Sequence, residues 1–298
     1  MNTEITPEHL RNHVYTLASD IGERNVFRPQ ALHAAEDYII RTWQQQGYVV
    51  TRQAFEVHGV ECANLEISCP GSIASDEIIL IGAHYDSVRG SPGANDNGSG
   101  VAGLLELSRL FAGSNPQVTL RFVAFVNEEP PFFYWNKMGS AVYAKAARGR
   151  GDRIRFMVSL EMLGYYSDTP GSQRYPPLFK YFYPDRGNFI SFVANLRSRA
   201  VMHEAARAFR AGSAFPIQHV ATFSWIPGVA WSDQLCFWRQ GYRAFMVTDT
   251  AFYRYRYYHT PEDTADKLCY EPFTRCCDGL VRCFGRLTRE NRKYPDQI

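Results

Sequence analysis

The feature that most constrains the fold is a set of short, continuously apolar segments that alternate with segments of helical pattern. A strand that is apolar on both faces needs cover on both sides, as strands of a parallel sheet do. Helices between such strands supply that cover. The predicted central strands are residues 77–83, 118–126, 155–160 and 244–248. The sequence therefore predicts an α/β fold with a mostly parallel central sheet and helices on both faces.

Further elements are predicted on either side of these strands. Thr6 is a suitable N-cap for a first helix, Pro7 fits its first turn, and Gly47 is typical of a helix end. The chain of 298 residues shows no internal repeat and no linker, so a single domain over residues 1–298 is predicted. The predicted helices are residues 7–18, 31–46, 98–111, 140–148, 189–210 and 271–290, and the predicted outer strands are 49–56 and 61–68.

Charge and hydropathy exclude some partners. A formal net charge of +2 is too small for bulk attraction to nucleic acid or to a membrane surface, so neither partner is expected. No apolar run reaches the length of a transmembrane helix. The polar, acidic N-terminus lacks the pattern of a secretory signal, which predicts a cytoplasmic protein. A secreted chain whose signal has been removed remains the alternative.

The seven cysteines fit reduced thiols, because their number is odd and no pair has CxxC spacing. Several of them cluster near the C-terminus. There Cys277 shares helical spacing with Phe273, Leu280 and Phe284, which favours buried structural thiols over a metal site.

Acids and histidines follow the ends of the predicted central strands. In open α/β sheets, ligands bind just beyond the carboxyl ends of the strands. Two histidines and at least four carboxylates gathered there need a compensating cation, which predicts a metal site. The residues concerned are His84, Asp86, Asp96, Glu128, Glu129, Glu161, Asp249 and His259.

Nitrogen and carboxylate ligands without thiolate suit zinc, with manganese or cobalt as substitutes. Two zinc ions need one bridging carboxylate and two further ligands each, and no organic cofactor is predicted. Glu128 is then free to act as general base. Asp86 lies two residues after His84, so in an extended segment its carboxylate can orient the imidazole. The five predicted ligands are His84, Asp96, Glu129, Glu161 and His259.

Taken together, these motifs resemble those of the co-catalytic zinc aminopeptidases. This is metallopeptidase family twenty-eight, which also contains glutamate carboxypeptidases and glutaminyl cyclases. The matching segments occur in the family's order between residues 84 and 260. They are His84-Tyr85-Asp86, Gly93-Ala94-Asn95-Asp96-Asn97-Gly98-Ser99-Gly100, Asn127-Glu128-Glu129, Glu161-Met162-Leu163-Gly164, Ser232-Asp233-Gln234 and Tyr258-His259-Thr260.

The resemblance implies a role for each predicted ligand. Asp96 is implied as the bridging carboxylate. His84 and Glu161 would complete one zinc site. Glu129 and His259 would complete the other. The implied architecture is that of the zinc-dependent exopeptidases, a phosphorylase/hydrolase-like fold.

The resemblance also implies two catalytic side chains and one backbone feature. Glu128 matches the general base, and Tyr258 matches a position where the family can place a phenol near a developing oxyanion. A cis peptide between Asp96 and Asn97 is a further expectation from the family.

The sequence departs from the family pattern at three places. The aromatic segment 130–138 is longer than the family's usual turn. Glu161 stands where aspartate is usual, and Gln234 stands where histidine is common. The segment 130–138 is interpreted either as a hydrophobic pocket or lid or as an oligomer contact.

Two acids and one aromatic segment have several possible roles. Asp233 is interpreted as a helix cap or as a partner of a ligand, and Asp249 as a substrate or structural residue. The segment 252–257 interleaves aromatic and basic residues, a pattern that can bind single-stranded nucleic acid. Next to His259, and without a wider basic field, a pocket wall is the favoured interpretation.

The predicted function is a zinc-dependent exopeptidase, foremost an aminopeptidase acting on small peptides or aminoacyl compounds. A carboxypeptidase or another amidohydrolase on the same scaffold is an alternative, and Arg243, Arg254 or Arg256 could be the carboxypeptidase's clamp for a terminal carboxylate. Another is a glutaminyl cyclase-like acyltransferase, which usually goes with a single working zinc. A non-catalytic binding module is disfavoured because such relatives typically lose metal ligands. The sequence does not indicate the oligomeric state.

Overall fold

The computed structural model of the protein describes residues 4–289. Eight strands form one sheet within this part of the chain, in the order β1-β2-β4-β3-β5-β8-β6-β7. They are β1 (Thr51–Val57), β2 (Val60–Cys69), β3 (Ala74–His84), β4 (Val118–Phe125), β5 (Arg153–Glu161), β6 (Ile190–Asn195), β7 (Ile217–Thr222) and β8 (Ala244–Thr248).

The helices cover the sheet. A π-helical turn, Thr16–Ile21, continues the first helix, whose N-cap Thr6 accepts a hydrogen bond from His9 N as predicted. The helices are α1 (Pro7–Tyr15), α2 (Pro29–Gln45), α3 (Gly100–Phe111), α4 (Gly139–Arg150), α5 (Arg199–Gly212), α6 (Gln234–Arg239) and α7 (Tyr270–Leu287). No helix among residues 4–289 combines the length and the apolar character needed to cross a membrane.

Strand direction changes across the sheet. The central strands β4, β3, β5 and β8 run parallel to one another, and these are the four strands predicted to be buried. The hairpin β1–β2 pairs antiparallel with β4, and β6 pairs antiparallel with β8, while β7 is parallel to β6. The predicted α/β fold with a mostly parallel sheet is confirmed, with antiparallel strands on both sides of the parallel centre.

Side chains alternate between two apolar layers, as the two-period of a strand requires. On β3, Ile79 and Ile81 belong to the large core shared with α3, whereas Ile78 and Leu80 pack on the side of α4 and α6. On α7, Cys277 is fully buried in the large core, as its helical spacing predicted.

The predicted helix over residues 189–210 is wrong in its first part. Residues 190–195 form strand β6, and the helix α5 begins only at Arg199. The side chain of Asn195 accepts a hydrogen bond from Ser198 N and so ends the strand in a turn. A short apolar run fits helix and strand equally, and pairing with β7 and β8 decides for the strand. Strand β7 and helix α6 were not predicted.

Candidate metal centre and adjoining cleft

The predicted ligands come together at one edge of the sheet because parallel strands deliver them there. His84 ends β3 and Glu161 ends β5, while Glu128 and Glu129 follow β4 directly. His259 lies on the loop after β8, and its side chain is 29% exposed. The others are nearly inaccessible, with relative exposures of 1% for His84, 4% for Asp96, 6% for Glu128, 3% for Glu129 and 6% for Glu161.

Asp96 stands between the two histidines. His84 Nε2 lies 3.5 Å from Asp96 Oδ1, and His259 Nε2 lies 3.1 Å from Asp96 Oδ2. Each histidine also contacts one glutamate, since His84 Nε2 is 3.3 Å from Glu161 Oε2 and His259 Nε2 is 3.2 Å from Glu129 Oε2. The result is two three-residue groups that share one carboxylate, and within each group one ligand atom per residue lies within 4.8 Å of the others.

Glu128 lies beside this pair of groups. Its Oε2 is 3.9 Å from His84 Nε2, and with His84 and Glu129 it forms a third cluster of possible ligand atoms. Burial, with repulsion from the neighbouring carboxylates, raises the pKa of Glu128 well above its usual value. Its position therefore suits either a ligand or a proton acceptor.

The electrostatics of the cluster show an excess of buried negative groups. Burial and repulsion from Asp96 raise the pKa of Glu129 to about 7. Burial opposes a charge on the imidazoles, yet the surrounding carboxylates raise the pKa of His84 well above its usual value and that of His259 to about 10. Two buried atoms, His84 Nε2 and Glu129 Oε1, have no hydrogen-bond partner in the described structure. Unpartnered nitrogen and carboxylate donors of this kind fit a divalent cation such as zinc.

The Asp86 carboxylate supports two neighbouring segments. It accepts hydrogen bonds from Glu128 N and Glu129 N, both at 3.1 Å. His84 Nδ1 lies 3.5 Å from Asp86 Oδ1 and 3.2 Å from the Asp86 backbone oxygen. Asp86 therefore holds the turn after β4 as well as lying beside the imidazole, which extends the predicted role.

The loop that carries Asp96 requires a glycine and a buried arginine. Gly93 has φ 62°, and a Cβ there would lie 2.5 Å from both Asp96 O and Ser87 Cβ. The buried guanidinium of Arg24 donates to the backbone oxygens of Pro92 and Gly93, and burial lowers its pKa to about 10. The expected cis peptide between Asp96 and Asn97 is present. Nothing in the sequence pattern singled out Arg24, because its guanidinium donates to backbone oxygens, three of which lie in the distant segment 85–93.

Asp263 ties the two ligand loops together. Its carboxylate accepts hydrogen bonds from Asn95 N at 2.8 Å and Asp96 N at 3.1 Å, and Tyr255 donates to it at 2.8 Å. Asp263 is not among the site residues predicted from the sequence. The signal for Asp263 in the sequence was its position shortly after His259, because an acid on the loop of one ligand can accept hydrogen bonds from the backbone of a second ligand loop.

Asp249 and Asp233, two further acids near the site, differ in their contacts. Asp249 accepts from Asn95 Nδ2, Tyr165 N and Ala251 N, which favours the structural one of its two predicted roles. Asp233 precedes α6 but makes no side-chain cap, so the capping interpretation is wrong, and burial raises its pKa to about 7.

Glu161, which replaces the usual aspartate, is held by a neighbouring hydroxyl. Ser232 Oγ donates to Glu161 Oε2 at 2.7 Å and lies 2.9 Å from Ser159 Oγ. The hydroxyl fixes the longer side chain with its carboxylate towards His84.

Tyr258 lies at the junction of the cluster and a large cleft. Its ring stacks on the imidazole of His259, with centroids 3.8 Å apart and an interplanar angle of 17°. Burial and the nearby carboxylates raise its pKa far above the usual value, so the phenol keeps its proton as a donor. Tyr258 and Glu161 both line the cleft.

The cleft encloses about 810 Å³, including space open to solvent, and its lining is largely aromatic and aliphatic. Phe252 and Tyr253 belong to its wall, as predicted for the segment 252–257. The segment 130–138 contributes no lining residue, which counts against its interpretation as the wall of this pocket. Phe132 instead packs into the core, at 6% exposure.

The three arginines considered as carboxylate clamps lie in different surroundings. Arg254 is buried and donates to Gln173, Tyr165 and Phe189. Arg256 is exposed beside the Tyr257 ring, and Arg243 precedes β8, at the end of that strand opposite the site. None of the three lines the cleft as the structure describes it.

An α/β sheet with a buried carboxylate–histidine cluster at its carboxyl edge is typical of a metallohydrolase. A profile of peptidase family M28 matches residues 64–283, most of the chain, and the chain belongs to this family. It is an enzyme of the metallopeptidase class, which confirms the resemblance seen in the sequence.

Three comparisons illustrate the family relationship. The uncharacterised protein YfbL of Escherichia coli is 38% identical over 285 residues, covering 93% of this chain and 87% of that protein. The zinc aminopeptidase BSAP from Bacillus subtilis has the same fold, with a TM-score of 0.76 at 14% identity over 100% of this chain and 99% of that one. A glutaminyl cyclase from Fimbriiglobus ruber also shares the fold, with a TM-score of 0.68 at 18% identity and 94% coverage of both chains. The chain spans at most 50% of several further curated relatives that it matches.

Proposed function

We propose that this protein is a two-zinc aminopeptidase that removes N-terminal residues from small peptides. The observation that carries the proposal is the position of Asp96, whose two oxygens each face a different histidine. A carboxylate between two nitrogen ligands, with one further acid beside each, is the arrangement that two co-catalytic ions require.

The described residues fit such ions. His84, Asp96 and Glu161 would hold one zinc, and Glu129 and His259 would hold the other together with Asp96. The unpartnered atoms His84 Nε2 and Glu129 Oε1 support this assignment, because a buried polar atom without a partner is costly. Manganese or cobalt would suit the same donors.

Bound zinc supplies Lewis acidity towards the scissile carbonyl and the attacking water. Glu128 is the general base: its carboxylate takes a proton from that water and delivers it to the nitrogen of the leaving amine. The Tyr258 hydroxyl donates a hydrogen bond to the developing oxyanion. Asp86 positions Glu128 by holding its backbone N–H.

The charge of the site favours an aminopeptidase over a carboxypeptidase. Glu161 is the one charged side chain among the described residues that line the cleft, and no lysine or arginine is present there. A free α-ammonium of the substrate can approach the carboxylate of Glu128, whereas a terminal carboxylate finds no cationic side chain in this lining. BSAP, which shares this fold, is a zinc aminopeptidase, and this agrees with the choice.

The test combines a zinc count with a substrate panel. Purified protein is analysed for zinc per chain and assayed on aminoacyl amides and on the same compounds with a blocked amine. The variant Glu128→Gln removes the proton acceptor and should lower kcat by about 10²–10⁴-fold without loss of zinc. Glu56→Gln, on the outer strand β1, is the matched control, because Glu56 is exposed and outside the site.

About two zinc ions per chain, cleavage of free-amine substrates alone and an inactive Glu128→Gln protein would support the proposal. Cleavage of blocked substrates alone would transfer the assignment to a carboxypeptidase or another amidohydrolase. A single zinc with cyclisation of N-terminal glutamine would favour a glutaminyl cyclase. No hydrolysis after zinc is restored would contradict the two-metal mechanism and favour a binding module.

A further inference from the structure

We infer that the cleft beside Glu161 receives the side chain of the substrate's N-terminal residue and selects large aromatic side chains. The inference rests on the proposed aminopeptidase function and names the substrate class of the same site. It depends on three properties of the cleft, namely its floor, its two aromatic walls and its charge.

The floor consists of alternate residues from three neighbouring strands. Val193 on β6, Val220 on β7 and Met246 on β8 line the cleft, and alternate side chains of one strand point to the same face. Helix α5 packs on the opposite face, where Phe192 contacts Phe209. The cleft therefore lies on a face of the sheet that is covered by loops.

The width of this floor exceeds what a small aliphatic side chain can fill. Three adjacent strands span about 10 Å, since neighbouring strands lie about 4.8 Å apart. A leucine side chain placed there would leave part of the lining without contacts, and each missing contact forfeits dispersion energy. A two-ring or one-ring aromatic side chain fills more of the same space.

The first wall is a row of rings on the segment after β5. Tyr175 and Phe179 each stack on Tyr183, at 5.7 Å and 29° for the first pair and 6.1 Å and 15° for the second. All three stacked rings line the cleft. The hydroxyl of Tyr183 donates to the His219 backbone oxygen, which anchors this wall to strand β7.

The second wall is built around Phe252. The ring of Phe252 lies 5.1 Å from that of Trp231, 4.3 Å from that of Tyr253 and 5.8 Å from that of Tyr258. An aromatic side chain between two ring-lined walls gains offset-stacked or edge-to-face contacts, which an aliphatic side chain of equal area does not.

Glu161 connects the cleft to the reacting end of the substrate. It contacts His84 in the metal cluster and also lines the cleft. A substrate whose α-carbon lies near Glu161 can therefore place its reacting end at the cluster and its first side chain in the cleft. The remaining lining is uncharged in the described structure. A charged substrate side chain would lose its hydration there without gaining a partner.

The experiment measures kcat/KM for free-amine amides of phenylalanine, tryptophan, leucine, alanine and lysine with the zinc-loaded protein. The aromatic substrates should exceed leucine by about tenfold and alanine by about a hundredfold, with lysine among the poorest. A faster leucine or alanine substrate would overturn the inference while leaving the aminopeptidase intact. Cleavage of blocked substrates alone would overturn the proposed function, and this inference with it.

A matched pair of variants locates the selectivity. Phe179→Leu removes a ring of the first wall, whereas Phe182→Leu alters a phenylalanine of the same segment that is 81% exposed and outside the lining. Phe179→Leu should reduce the phenylalanine-to-alanine ratio of kcat/KM by about tenfold, mostly through KM, and Phe182→Leu should not change it. Equal ratios in the two variants would overturn the inference.

A variant that fills the cleft controls for the possibility that Phe179→Leu disturbs the fold of the first wall. Val220→Phe adds a ring to the floor on the edge strand β7, where Val220 is partly buried. It should depress cleavage of aromatic substrates by about tenfold and leave alanine substrates active, which also shows that the protein folds. Unchanged cleavage of the aromatic substrates would overturn the inference.

Discussion

The metal cluster and the aromatic cleft share Glu161 and Tyr258, yet they are built differently. Strand ends deliver most of the cluster, and backbone hydrogen bonds to Asp86 and Asp263 fix it. Loops supply the walls of the cleft, and Trp231 is 40% exposed there. A reaction that needs fixed distances is placed on the rigid sheet, while a surface that has only to fit a shape is placed on segments that can vary.

The largest expected effect is at Asp96, which serves both halves of the cluster. In Asp96→Asn the shared carboxylate loses its charge, and zinc should fall to about one ion or fewer per chain. The kcat/KM should fall by about 10³-fold, comparable with the loss of a general base. Zinc analysis and steady-state assays measure both. Two retained ions with normal activity would show that Asp96 does not bridge them.

Tyr258 belongs to both regions, so Tyr258→Phe separates them. Loss of the phenolic donor should lower kcat by about 10²-fold. The retained ring should preserve the order of preferred substrates, because it still lines the cleft. Kinetics on phenylalanine and leucine amides check both expectations. A changed order with an unchanged kcat would assign Tyr258 to the cleft alone.

Asp263 tests whether the cluster depends on its backbone anchors. In Asp263→Asn, one of the two backbone N–H groups that donate to this carboxylate loses its acceptor. The zinc affinity should therefore fall by about tenfold. Competition with a chelator measures that affinity. Asp266→Asn is the control, since its side chain is 59% exposed and contacts Lys267. Equal zinc affinity in the two variants would contradict the anchoring role.

The smallest effect is expected at the outer rim. Trp225 is 76% exposed, stacks on Phe223 and does not line the cleft. Trp225→Ser should change kcat/KM for single-residue amides by less than about twofold, and the free energy of unfolding by less than about 0.5 kcal/mol. Kinetics and denaturant unfolding measure these quantities. A large change in substrate preference would extend the cleft to this rim.

The sequence predicted the parts of the molecule that are determined locally. Each central strand is a continuous apolar run, and the residue after it needs only the chain direction to be placed at the carboxyl edge. For this reason the positions of His84, Glu129 and Glu161 followed from the pattern, and the structure brings them together with Asp96 and His259.

The remaining parts depend on contacts between distant segments. Strand β6 is fixed by its neighbours β7 and β8, and a short apolar run cannot distinguish strand from helix without them. Arg24 and Asp263 bind backbone groups that are far away in sequence. The cleft combines residues from separate loops with the middle of three strands, so no single segment carries its pattern.

The reversal of direction between β8 and β6 has a consequence for divergence within the family. In β6 and β7, which lie beyond this reversal, a mutation in the middle of the strand alters the cleft floor. The ends of β3 and β5, which bear His84 and Glu161, stay in place. Changes in substrate preference, that is, in which N-terminal residues are removed from peptides, can then accumulate without altering the reaction. The fold thus separates the residues that would decide which peptide is chosen from the residues that would carry out the cut.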